Sequence, residues 1–286
     1  MNEIAQWLLS LIIVLVFAIL AFKLSLLTET GTIAAILVGL CLFVLPVEPV
    51  PGWAWFGLLA AFFISSNAVT RFKKVQKEAV NQEFAKGSVR DLAQVIANGT
   101  VAIFLAAVYH FYPQPIVFTA FVAVVAVSNA DTFATELGVL SKSKPFLITT
   151  FKRVENGASG AVSLLGTLAA FAGAAVIAAA AIALASLPSL STGSFALAAP
   201  GGIPLFAAII VFSGAVGSLA DSFLGATIQA MYWCKRCKKE TERKIHKCGE
   251  KTLLFRGIKW IDNDVVNLLS TIVGGALAAG LFYLVA

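Results

Sequence analysis

The sequence predicts an all-α protein: a polytopic membrane bundle of about eight transmembrane helices with one small polar insert. Three observations predict it. The 286 residues are 59% hydrophobic and only 13% charged, with a mean hydropathy of +0.90, well outside the soluble range. Apolar runs of spanning length recur along the chain. All 21 Lys and Arg residues fall in alternate connections between those runs. The period-two alternation of a membrane β-barrel is absent. Residues 1–286 read as one membrane domain, with 231–264 as a cytoplasmic Cys/His insert within it.

The runs are taken in order. Residues 4–21 have no basic region ahead of them and no small-residue cleavage site after them, so they read as a retained helix, not a signal peptide. The run 31–46 is short for a span, and 53–70 is of ordinary length. Between Arg71 and Arg90, residues Phe72, Val75, Ala79 and Phe84 recur at helical spacing among Lys and Gln, the pattern of an interfacial amphipathic helix. The run 92–112 carries Asn98, and 116–138 ends in a polar segment. The run 160–187 places Gly160, Gly166 and Gly173 where neighbouring backbones can approach. Ser186–Gly202 is rich in Pro, Ser and Gly and reads as an external loop. The run 203–230, with Gly214 and Gly217, is long enough to tilt or break, and 265–286 completes the bundle.

Charge sets the orientation. Lys23 follows the first run, six basic residues follow the third, four follow the fifth and ten follow the seventh. The connections at Pro46–Gly52, Phe111–Pro115 and Pro188–Pro204 contain none. The positive-inside rule then makes the basic connections cytoplasmic and puts both termini outside. Topology alone accounts for most of the net charge of +6. The same charge suits anionic headgroups and phosphorylated substrates. The bilayer is the expected partner and nucleic acid is not; monomer and oligomer both stay open.

Cys41 sits alone in an apolar run and reads as a small filler. Cys234, Cys237, His246 and Cys248 follow a Cys-x-x-Cys…His-x-Cys pattern, four soft ligands that can close a tetrahedral Zn²⁺ site. A cytoplasmic insert is unsuited to structural disulfides and too small for its own core, so a structural metal staple is useful there.

Three carboxylates stand inside apolar runs: Asp131, Glu136 and Asp221. An ionised carboxylate in a span costs about 2.5 kcal/mol or more and normally faces a wet cavity, a cation or a substrate. Asp131 and Thr135 share one helix face, while Asn129, Thr132 and Glu136 form a second polar stripe. Ser213, Gly217, Asp221 and Gly225 repeat every four residues. Lys152 and Arg153 precede Gly157-Ala158-Ser159-Gly160, read as a small-residue helix entrance able to take phosphate on free backbone N–H groups. No Walker-type motif is present. Asp262, Asn263, Asp264 and Asn267 lie at the mouth of the last run. Oxygen ligands from several helices facing loop cations are what Mg²⁺-nucleotide chemistry needs; ion binding uses the same groups.

Asn98-Gly99, Asp131 to Gly138, Thr149-Thr150-Phe151-Lys152-Arg153-Val154, Gly157 to Gly166 and the Cys/His insert resemble the phytyl-phosphate kinase family of integral membrane enzymes. The insert with Trp260 to Asn267 is the most specific part, and the resemblance covers nearly the whole chain. The motif order is similar, more distantly, to dolichol kinases and phosphatidate cytidylyltransferases. The sequence departs from the family pattern at Asn129, near the Asp.

The resemblance implies a kinase moving the γ-phosphoryl group of a nucleoside triphosphate, CTP first, to an isoprenyl monophosphate. Asp131, Glu136 and Asp221 would hold Mg²⁺, and Lys152 and Arg153 would bind phosphate charge. Asn98, Asn129, Thr132, Thr135, Gly157, Ser159, Gly160, Ser163, Asp264 and Asn267 would complete the substrate and nucleotide shell. The acceptor is already anionic near neutral pH, so no strong base is required. A CTP-dependent lipid cytidylyltransferase and an ion-coupled transporter are the rival readings. His110, expected near the opposite face, and His246 are the two histidines.

Overall fold

The computed structural model describes residues 3–81, 89–187 and 201–286. Among them the helices are α1 (Glu3–Lys23), α2 (Glu29–Val44), α3 (Gly52–Arg71), α4 (Lys74–Asn81), α5 (Leu92–Phe111), α6 (Pro115–Gly138), α7 (Leu164–Ala185), α8 (Gly202–Thr227) and α9 (Asn263–Val285). α3, α5, α6, α7, α8 and α9 are long and apolar enough to cross a membrane; α1 and α2 supply shorter apolar stretches. The eight expected runs all become helices. Lys86, Phe84 and most of the expected external loop lie outside the described residues.

α6 is the centre. It packs against α3, α5, α7, α8 and α9, and every residue from Val117 to Ala130 is buried. A helix that is apolar all round requires such enclosure. Small residues on its neighbours permit it. A Cβ on Gly217 of α8 or Gly274 of α9 would come within 2.3 and 2.2 Å of the Val127 Cγ2 on α6.

The two ends of the bundle are capped differently. Four helices that start at the basic end, α2, α5, α7 and α9, have side-chain N-caps: Thr28, Asp91, Ser163 and Asp262. Those that start at the other end, α3, α6 and α8, have none. Each cap satisfies donors that an apolar setting would leave unpaired. The polar chemistry of the chain therefore gathers at the basic end.

Of the expected amphipathic segment 71–90, Lys74–Asn81 forms α4 with Val75 exposed, while Phe72, also exposed, caps the end of α3. The stretch 157–160 is not a helix start. It leads into β2 (Ala161–Val162), which pairs antiparallel with β1 (Phe146–Leu147), and α7 begins at Leu164 behind its Ser163 cap. The insert is a three-stranded antiparallel sheet of β3 (Met231–Cys234), β4 (Lys239–Thr241) and β5 (Leu253–Arg256), with β3 in the middle.

Candidate active site at the basic end of the bundle

Where these helices meet the basic end they enclose an open cavity of about 320 Å³. α6 contributes Asp131, Thr132, Thr135 and Glu136; α5 contributes Asn98; α8 contributes Asp221. Gly157, Ser159, Gly160 and Ser163 line it from the hairpin side, and Asp264 and Asn267 from the start of α9. Residues spread over more than 160 positions of sequence are brought to one space.

Asp131 and Asp221 are each held by one hydroxyl. Ser218 Oγ lies 3.4 Å from Asp131 Oδ1, and Ser270 donates to Asp221 Oδ2 at 3.1 Å. Neither Asp has a cationic side-chain partner among the described residues. The two carboxylates are close enough to interact electrostatically. Two adjacent acidic groups in a desolvated site call for an added cation or a shared proton. A hard divalent ion with oxygen ligands fits this donor set. Glu136 differs, because the ammonium of the buried Lys77 bonds it directly.

Among the described residues, the cation that lines the cavity is Arg90. Its backbone is fixed by two hydrogen bonds across the α1–α2 turn, Arg90 N to Leu26 O at 3.0 Å and Thr28 N to Arg90 O at 3.0 Å. Gly31 leaves room for that carbonyl; a Cβ there would lie 2.4 Å from it. Arg90 Nη2 donates to Ser66 Oγ at 2.7 Å. Burial pushes its guanidinium down to about 10 while Glu136 pulls it back up, so it stays charged at neutral pH. The N-terminus of α7, with Ser163, Gly166 and Thr167, adds a second electropositive wall.

Three expected residues lie elsewhere. Asn129 crosslinks helices: Ser65 donates to its Oδ1 at 2.9 Å, and its Nδ2 donates to Gly173 O at 2.8 Å. Lys152 and Arg153 are exposed on the 148–160 connection and do not line the cavity. Arg153 stacks 4.6 Å from the Phe146 ring and donates to Lys144 O at 3.1 Å. Sequence reading missed Arg90, Lys77, Ser218 and Ser270. Ser218 stands three residues before Asp221, a helical spacing that could have revealed it. In the sequence Arg90 reads only as an orienting charge.

The insert brings Cys234, Cys237, His246 and Cys248 together, their ligand atoms all within 4.8 Å of one another. Cys234 Sγ and Cys248 Sγ are 3.7 Å apart. Tetrahedral zinc with bonds of about 2.3 Å would separate two sulfurs by about 3.8 Å. His246 Nδ1 lies 3.2 Å from Cys248 Sγ and holds that thiol down to about 6. The donor set and spacing fit Zn²⁺.

Arg256 fastens the insert to the bundle. Its Nη1 donates to Gly225 O and Ala226 O, each at 2.8 Å, at the end of α8. Gln229 Nε2 donates to Glu242 Oε1 at 2.9 Å, and Ser159 donates to Gln229 Oε1 at 3.0 Å. Glu242 thereby becomes part of the cavity wall. His110 is at the far end of the bundle, its Nδ1 2.7 Å from Leu45 O.

A profile of the family described as integral membrane protein DUF92 matches residues 12–275. Protein PGR of Arabidopsis thaliana is 30% identical over 94% of both chains. An uncharacterized membrane protein of Methanocaldococcus jannaschii is 31% identical over 97% of this chain and 94% of its own. Protein VTE6, chloroplastic, of Arabidopsis thaliana is 30% identical over 79% of this chain and 58% of its own. No solved structure matches.

Proposed function

The chain belongs to the integral membrane protein family DUF92, and on that premise we propose that this multi-pass membrane protein is a kinase. It transfers the γ-phosphoryl group of a nucleoside triphosphate, CTP first among candidates, to an isoprenyl monophosphate. The observation that carries the reading is the pairing of Asp131 and Asp221 across one cavity, without cationic side-chain partners among the described residues and beside an arginine and a helix N-terminus.

Transfer of this kind is mostly positioning and charge neutralisation. An oxygen of the acceptor phosphate attacks the γ-phosphorus. The bond from γ-phosphorus to the bridging oxygen breaks, and its electron pair leaves with CDP. The acceptor oxygen is already ionised, so no histidine is needed, and none lines the cavity. Bound Mg²⁺ would neutralise the crowded phosphate oxygens. Asp131 and Asp221 would hold it, while Ser218 and Ser270 keep their carboxylates aimed. Asn98, Asp264 and Asn267 offer amide and carboxyl groups to the polar end of the substrates. Thr132, Thr135, Gly157, Ser159, Gly160 and Ser163 form the surrounding wall. Lys152 and Arg153 stand outside it, where a nucleotide would meet solvent. In this reading the basic end faces the cytoplasm.

Zinc on the insert would be structural, since four protein ligands leave no open position. Its part is to hold the sheet that brings Glu242 to Gln229 at the cavity.

The test is product analysis with purified protein, Mg²⁺, CTP and an isoprenyl monophosphate. Isoprenyl diphosphate with CDP supports the kinase. A CDP-isoprenoid with pyrophosphate replaces it by a cytidylyltransferase. Ion-coupled uptake into liposomes without nucleotide hydrolysis, measured alongside, replaces both by a transporter.

A further inference from the structure

Behind the polar cavity lies a narrow apolar one of about 60 Å³, walled by α1, α2, α3 and α5. Val14 and Phe17 close it from α1, Ala35 and Val38 from α2, and Leu59 and Phe63 from α3. The two spaces share Phe62, Arg90, Gln94 and Asn98. Arg90 therefore stands at a junction between an apolar slot and the polar cavity.

The guanidinium is set up for a further ligand. Nη2 is taken by Ser66. Its central carbon lies 5.1 and 5.2 Å from the Phe62 and Phe63 ring centres. Nη1 is buried and makes no hydrogen bond. A buried charged donor left unsatisfied is costly, and an anionic oxygen is its strongest partner. The planar fork suits phosphate in particular.

We propose that the slot between α1, α2, α3 and α5 receives the isoprenyl tail, and that Arg90 binds the lipid's phosphate through Nη1. This rests on the reading that the cavity takes an isoprenyl monophosphate. The site needs one ligand that is apolar along its length and anionic at one end. A free nucleotide has no such tail, and a two-chain phospholipid would have to place two chains in one narrow slot. α1 separates the slot from lipid, its opposite face exposing Ile12, Val16 and Ile19. The tail thus has a short route to the bilayer past α1. Arg90 then hands the acceptor phosphate to the Asp131–Asp221 end of the cavity.

The test measures binding, which does not require turnover. Full-length protein in detergent is titrated with a C20 isoprenyl monophosphate, the C20 isoprenyl alcohol, a C5 isoprenyl monophosphate and a phosphatidic acid. The native protein should prefer the C20 phosphate over all three. Arg90→Gln should weaken C20 phosphate binding at least tenfold and erase its advantage over the alcohol, and Arg90→Lys should recover part of it. Ala35→Phe and, independently, Ala60→Phe, the latter on the α3 wall of the slot, should shift the C20-to-C5 preference at least tenfold towards C5. Variants are compared only after they elute as the native protein does.

An unchanged phosphate preference in Arg90→Gln overturns the proposal. So does an unchanged chain-length preference in both filled variants, or phosphatidic acid binding as tightly as the C20 phosphate. Binding as described without phosphoryl transfer keeps the lipid site and removes the kinase. Transfer with unaltered preferences in the filled variants keeps the kinase and removes this site.

Discussion

The ammonium of Lys77 is fully buried and bonds the carboxylate of Glu136, tying α4 to the end of α6. Its other donors reach Val69 O at 3.0 Å and Thr70 O at 2.8 Å, in the last turn of α3. All three donors of the ammonium are used. The pair divides the three intramembrane carboxylates. Glu136 is neutralised by the protein itself and anchors an amphipathic helix, whereas Asp131 and Asp221 have no cationic side-chain partner among the described residues.

Breaking one side of that pair should cost more than removing both. Lys77→Met leaves Glu136 without its partner and is expected to destabilise the protein by about 3–5 kcal/mol. The double variant Lys77→Met/Glu136→Gln should regain much of the loss. Thermal or denaturant unfolding in detergent measures both. Equal losses in the single and double variants would show that the pair is not coupled.

Asp131→Asn and Asp221→Asn keep shape and remove metal-binding charge. Each should fold, with unfolding temperature equal to or above the native value, because a buried carboxylate without a cationic partner is itself destabilising. Each should lose Mg²⁺-dependent turnover by at least about a hundredfold, on the scale of a removed electrostatic stabiliser. A fall in stability with activity retained would assign these residues to packing.

The insert should carry about one zinc per chain, as a single four-ligand site requires. Cys237→Ser should lose the metal. Because Arg256 and Gln229 join the insert to the cavity wall, chelation should also expose the 231–256 segment to protease. Elemental analysis of freshly prepared reduced protein checks the first point, and limited proteolysis checks the second.

Close packing on α6 gives a prediction away from the site. Gly274→Ala would place a methyl against the stiff Val127 side chain and should cost about 1–3 kcal/mol, the range for overpacking. Val127→Ala in the same chain should return part of it. Additive losses in the double variant would contradict the contact.

The spans were legible because their apolar runs are long and separated by charge or Pro. The expected start at residue 160 misses the observed Leu164 because the hairpin pairing of Ala161–Val162 and the Ser163 cap delay the helix. The carboxylates at the cavity were legible from the cost of charge in a span. Asn129 was not separable from them, since α6 is enclosed on all sides and a polar stripe on it can face a neighbouring helix. Arg90 was hidden for another reason. Positive charge at a helix end is explained by topology alone, and only the α1–α2 turn shows where this side chain goes.

The most direct measurement follows the γ-phosphate. Protein in detergent is given Mg²⁺, CTP labelled at the γ-position and an isoprenyl monophosphate, beside its Asp131→Asn and Asp221→Asn variants. The account predicts label in the isoprenyl diphosphate for the native chain, CDP in equal amount, and neither product from the variants. Label released as pyrophosphate, or full transfer by both variants, would contradict it.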